Sequence, residues 1–207
     1  MELERLKKQL NNRKPTLMDA AGRYAVLVPL VRRADGLYLM YEVRARSLSS
    51  QPGEVCFPGG RMEPGETPED CALRETREEL GIDPACVQVL GDLDFVAHRS
   101  NFIMYPVLGL VEEAAVERMI PNPPEVDEVF LVPLNHLRTT APEEYVYELK
   151  PQMAEDFPFE RLGIAKDYNW RVAKERGPFW QWENHTIWGL TGKITRHLIA
   201  VLNELNY

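Results

Sequence analysis

GRMEPGETPEDCALRETREELGI, residues 60–82, is the stretch from which the rest of the chain is read. Its second half predicts a helix over Thr67–Leu80. Thr67 suits the N-cap, Pro68 the first helical position, and Asp70 completes a capping box. Gly81 stands where a helix closes on a left-handed residue. At about 100° per residue, Glu75, Glu78 and Glu79 share one face, while Ala72, Leu73, Thr76 and Leu80 form the opposing, core-facing stripe. Like charges four residues apart destabilise a helix by a few tenths of about 1 kcal/mol, so the acidic face calls for a counter-charge. Arg74 and Arg77 supply part of it. A hard divalent cation neutralises carboxylates more effectively, and magnesium suits oxygen ligands facing phosphate. Taken alone, such a run is a solvated acidic face. The two glycines of Phe57-Pro58-Gly59-Gly60, just ahead of it, allow a backbone to approach a ligand closely.

Outward from this helix the pattern alternates. Tyr24–Arg32 and Leu37–Arg44 are β-rich runs joined by the hairpin signal Arg33-Ala34-Asp35-Gly36. Val87–Val96, Ile103–Glu112 and Val129–Val132 predict further strands, with a loop over Pro121–Pro124. Leu3, Leu6 and Leu10 predict a short amphipathic helix over residues 2–12. Leu190, Ile194, Leu198, Val201, Leu202 and Leu205 predict a closing helix. The expectation is α/β: one domain over residues 1–207 with a mixed β-sheet, an N-terminal helical extension over 1–20, and an insertion over 141–185 that lacks periodicity.

Composition narrows the function. Apolar residues make up 44%, enough for a core. With 32 acidic against 24 basic residues and a net charge of −8, a nucleic-acid polymer is not the expected partner. A small anion remains compatible, because a bound cation inverts the local field. Cys56, Cys71 and Cys86 form no C-x-x-C pair and read as reduced thiols of a cytoplasmic protein. Charges throughout residues 1–14 argue against a signal peptide, and the apolar run Tyr24–Val31, broken by Pro29, is too short to span a bilayer. His98, His136, His185 and His197 lack metal-ligand spacing. Trp170, Trp180, Trp182 and Trp188 read as packing residues before adenine-stacking ones.

Gly60, Glu66, Arg74-Glu75, Glu78-Glu79, Leu80, Gly81 and Ile82 together resemble the Nudix box. Thr76 departs from it, at a packing position where that family carries an aliphatic residue. The resemblance implies an α/β/α sandwich that hydrolyses a nucleoside diphosphate linked to another group, using Mg2+ or Mn2+. It further implies that Glu75, Glu78 and Glu79 are metal ligands, that the Gly59 carbonyl joins them, and that Glu66 supports the site. Arg74 would orient the glutamates. A general base from outside the helix is also implied, for which Glu125 and Glu128 are candidates, each reading equally as a solvated loop acid.

Upstream, Arg44-Ala45, Gly53 and Phe57-Pro58-Gly59-Gly60 resemble the coenzyme A diphosphatases of that superfamily, as does His185-Thr186-Ile187-Trp188-Gly189-Leu190-Thr191. Ser49 stands where the subfamily has a second Arg, and Met40-Tyr41-Glu42 replaces its usual Leu-Leu-Thr. The implied reaction cleaves coenzyme A to 4′-phosphopantetheine and adenosine 3′,5′-bisphosphate, with Arg44, Arg46 and Arg61 as phosphate-binding candidates. A homodimer is a further implication. ADP-ribose or another nucleoside diphosphate derivative is the alternative substrate. A non-catalytic nucleotide- or RNA-binding module is the alternative class, disfavoured because every helix glutamate is present.

Overall fold

The computed structural model describes residues 2–13 and 15–207; positions 1 and 14 of the expected N-terminal extension lie outside the described residues. The chain divides into two compact units, residues 1–131 and 132–207. At the N-terminus, α1 (Glu2–Asn11) buries none of its residues, and Leu3, Leu6 and Leu10 are exposed.

The first unit is built on a mixed sheet. Its strands are β1 (Gly22–Arg33), β2 (Gly36–Arg44), β3 (Val55–Cys56), β4 (Gly59–Arg61), β5 (Val87–Asp92), β6 (Val96–His98), β7 (Phe102–Val111) and β8 (Val126–Pro133). The main path runs β3-β2-β1-β7-β5, with β4 on β1, β6 on β7 and β8 on β2. β1 pairs antiparallel with β2 and β4, and parallel with β7 in a register running from Gly22↔Phe102 to Val31↔Val111. A parallel central pair is buried on both faces, so β1 is apolar without alternation from Ala25 to Val31.

Against this sheet lie α2 (Pro68–Leu80) and the short α3 (Glu113–Arg118). Ala25, Leu27, Val31, Cys71, Ala72, Leu80 and Val107 make up much of the core. The buried stripe of α2 differs from expectation by about one position. Cys71 is fully buried and Leu73 only half-buried, while Glu79, expected on the acidic outer face, is 7% exposed. The helix is rotated so that one of its carboxylates points inward.

The second unit contains α4 (Leu134–Thr139), β9 (Glu143–Leu149), α5 (Phe159–Leu162), β10 (Ala173–Trp182), β11 (His185–Ile187) and α6 (Gly189–Glu204). Its antiparallel sheet has the order β11-β10-β9. Two strands therefore form where the sequence shows no helical period. Tyr145, Tyr147 and Leu149 are half-buried and alternate with the exposed Glu144, Val146 and Glu148, a period of two diluted by charge. In α6, Ile194, Leu198 and Leu202 are buried as the stripe predicts, but Leu205 is 71% exposed past the helix end.

Candidate active site

The ends of α2 form as its sequence dictates. Thr67 caps it, accepting from the Asp70 amide at 3.1 Å, and the Asp70 carboxylate accepts in return from the Thr67 amide. Gly81 closes it in a left-handed conformation. The register of the helix is thereby set, and with it the direction of every glutamate.

Arg74 is the centre of the charged network. Its Nε and Nη2 donate to the two oxygens of Glu66 at 2.8 and 3.1 Å, a two-pronged grip that only a guanidinium makes. Nη1 donates to Glu75 at 2.8 Å and reaches Glu78 at 3.4 Å, and Nη2 also donates to the Arg61 carbonyl. Hydrogen bonding from Arg74 holds the Glu66 carboxyl down at about 2, helped by the Glu63 amide donating at 2.8 Å. Arg74 therefore ties the helix to the loop before it and fixes Glu75 between them.

Deeper in, Glu79 Oε2 accepts from the Gly59 amide at 2.8 Å. Burial pushes its carboxyl well above the usual range, and the negative charges of Glu42, Glu75 and Glu125 push it further. Glu75 is raised too, again first by burial. Glu42, on β2, was not among the residues expected from the sequence. It is 1% exposed, accepts from Cys56 Sγ at 3.2 Å through Oε1, and leaves Oε2 buried with no hydrogen-bond partner. The signal was present: Glu42 is the only charged residue within the otherwise fully buried run Leu39–Val43.

Gly60 shows how tightly the backbone meets this group. A Cβ there would stand 2.4 Å from both Cδ and Oε1 of Glu75. A Cβ on Gly59, which has φ +155°, would stand 2.3 Å from the Ala25 carbonyl oxygen of β1.

The loop after α3 brings in Glu125. The Asn122 amide donates to the Glu79 carbonyl and the Ala45 amide to the Glu125 carbonyl, both at 2.8 Å, so the loop is laced to α2 and to the end of β2. Glu125 is exposed, and its charge is felt by Glu42, Glu75 and Glu79. Glu128 is exposed on β8. Arg44 is half-buried, with Nε donating to the Ser50 carbonyl at 3.4 Å, and its charge acts on Glu42. Arg46 is exposed and pairs with Asp127 at 3.5 Å. Arg61 lines a cleft with Gly22, Arg23 and residues 62–66, which adds Arg23 as a cation the sequence reading did not single out. Among the described residues, no three acidic, histidine or cysteine side chains converge closely enough to ligate one ion as placed. Glu75 and Glu78 instead share Arg74 Nη1, at 2.8 and 3.4 Å. The donor set nonetheless fits a hard divalent cation: every donor is oxygen, and the buried Glu42 Oε2 is unsatisfied.

The NUDIX domain model matches residues 22–155, more than half of the chain and the whole of the sheet and helix that carry these glutamates. The chain belongs to the Nudix family. This Nudix chain is 38% identical over 139 residues to the peroxisomal coenzyme A diphosphatase NUDT7 of Mus musculus, covering 67% of itself and 57% of that protein. It is 35% identical over 185 residues to the mitochondrial coenzyme A diphosphatase NUDT8 of Homo sapiens, covering 88% and 70%. To Nudix hydrolase 3 of Caenorhabditis elegans it is 31% identical over 191 residues, covering 89% and 75%. Its sequence thus stands among Nudix enzymes, and the mixed α/β fold is the one the box implies. Among the described residues no helix is long and apolar enough to cross a membrane. The two diphosphatases are named for the peroxisome and the mitochondrion, so they lend no support to the cytoplasmic location expected from the thiols.

Proposed function

We propose that this Nudix chain hydrolyses the diphosphate of coenzyme A or its derivatives with Mg2+ or Mn2+ bound at the glutamates of α2. The observation that carries the reading is the set of carboxylates Glu75, Glu78 and Glu79 on one helix, with the Gly59–Gly60 backbone pressed against Glu79 and Glu75. When bound, the cation would supply charge screening for the diphosphate and a lowered pKa for water. Glu75, Glu78, Glu79 and the Gly59 carbonyl would hold it, and Glu66 would act through Arg74, which keeps Glu75 in place. Glu125 is the favoured proton acceptor over Glu128, because its carbonyl accepts from the Ala45 amide just past β2 and its loop is tied to α2 through the Asn122 amide. It would take a proton from the attacking water. The water oxygen bonds to one phosphorus, the bridging P–O bond breaks, and the products are 4′-phosphopantetheine and adenosine 3′,5′-bisphosphate.

Coenzyme A as substrate is supported by Arg44-Ala45 and Phe57-Pro58-Gly59-Gly60 and by the mouse and human relatives, which are named coenzyme A diphosphatases. Arg44, Arg46 and Arg61 would meet the phosphates, with Arg23 beside Arg61 in the cleft. The test is a panel of coenzyme A, acyl-coenzyme A, ADP-ribose and dinucleotides, with Mg2+ or Mn2+ and again in excess chelator, with products resolved by chromatography. Coenzyme A is expected to have the highest kcat/KM, and chelation to abolish turnover. Faster cleavage of ADP-ribose overturns the substrate, and full turnover in chelator overturns the metal.

A further inference from the structure

Glu42 is a carboxylate that the helix box does not explain. It sits mid-strand on β2, opposite Cys56 of β3, in a run where every neighbour is buried. A carboxylate removed from water is costly unless it is hydrogen-bonded, paired or bound to a cation. Only half of Glu42 is accounted for. Oε1 accepts from the Cys56 thiol, while Oε2 is buried and has no partner. Arg44 is the cation that acts on it, and the acidic groups Glu125 and Glu75 oppose that effect. Glu42 in turn is the largest charge acting on Glu79. A second acid placed beside an already buried acid raises the cost of both, and packing alone does not call for it, since a Gln or Met fills the same volume.

We infer that Glu42 belongs to the cation-holding set of this site, its free Oε2 directed at the divalent ion or an ion-bound water together with Glu79 and Glu75. The inference rests on the metal reading above and extends it to a second structural element. The ion would then be held between α2 and β2, and not by the helix alone.

The test reads metal binding without substrate. Mn2+ is titrated calorimetrically into the full chain, the Glu42→Gln variant and the Glu42→Thr variant at one fixed pH, with melting of each metal-free protein followed in parallel. Removing a carboxylate from the set is expected to weaken Mn2+ binding tenfold or more in both variants, within the roughly 10–100-fold range for groups supporting a metal. The metal-free Glu42→Gln protein is expected to melt no lower than the parent, because a buried repulsion is gone. Mn2+ affinity within twofold of the parent in either folded variant overturns the inference. A metal-free Glu42→Gln protein that melts well below the parent with unchanged affinity marks a packing role and overturns it equally. Absence of Mn2+ binding by the parent would sink the metal reading itself, a different result from parent binding that is indifferent to Glu42.

Discussion

Adjacent glycines at 59 and 60 separate chemistry from folding, because the space beside each is closed by a different kind of atom. In Gly60→Ala the new Cβ would lie 2.4 Å from the Glu75 carboxylate, roughly 1 Å inside the optimal contact of about 3.5 Å. The obstructing group is the end of a side chain, so it can swing away. The fold then bears an off-rotamer cost of about 0.5–1.5 kcal/mol plus part of the Arg74–Glu75 bond. At about 2–4 °C per kcal/mol for a chain of this size, melting should fall by only a few degrees. The carboxylate, however, leaves its place by about 1 Å, a displacement that can cost about 100-fold in turnover. In Gly59→Ala the Cβ meets the Ala25 carbonyl at 2.3 Å and Val26 Cα at 2.6 Å, backbone that cannot step aside. Positive-φ strain of about 1–3 kcal/mol adds to overpacking of about 1–3 kcal/mol, against a total stability of about 5–15 kcal/mol. The assay is thermal melting beside kcat/KM for coenzyme A, with the pair Gly60→Ala and Glu75→Gln combined in a double-mutant cycle. Gly60→Ala should lose activity without losing the fold, Gly59→Ala should melt well below Gly60→Ala, and the combined variant should be little worse than Glu75→Gln. Wild-type kcat/KM in Gly60→Ala, or full additivity in the cycle, refutes the reasoning.

Two further expectations concern Arg74. Arg74→Lys cannot reproduce the two-pronged hold on Glu66 while reaching Glu75, so kcat/KM should fall about 10–100-fold with a native circular dichroism spectrum; an unchanged rate would remove Arg74 from the site. Glu66, held at about 2 against an ordinary 4.5, binds protons less readily folded than unfolded. Its contribution to stability is therefore complete above pH 4.5 and is lost as pH falls toward 2. Urea unfolding at stepped pH should show a shallower acid limb in Glu66→Gln, and an identical slope would contradict the assignment.

Residues 60–82 determined the glutamate-bearing helix almost unaided, because caps, helical period and box spacing are local properties. Thr67, Asp70 and Gly81 act within a turn of where they stand, so their roles are legible without the fold. The alternating β9 strand was legible in principle, through Tyr145, Tyr147 and Leu149, but its exposed charges masked the period. Tertiary structure alone decided which acids feel one another's charge. A helical wheel places Glu79 beside Glu75 and Glu78, and only packing of α2 on the sheet turns it inward to the Gly59 amide. Glu42 lies far from the box in sequence, and pairing of β2 with β3 puts its carboxylate into the same electrostatic neighbourhood. Glu125 is brought in by a loop laced to two elements. Spacing along a chain sets what a helix presents. Which strands and loops face it depends on long-range pairings that no local pattern encodes.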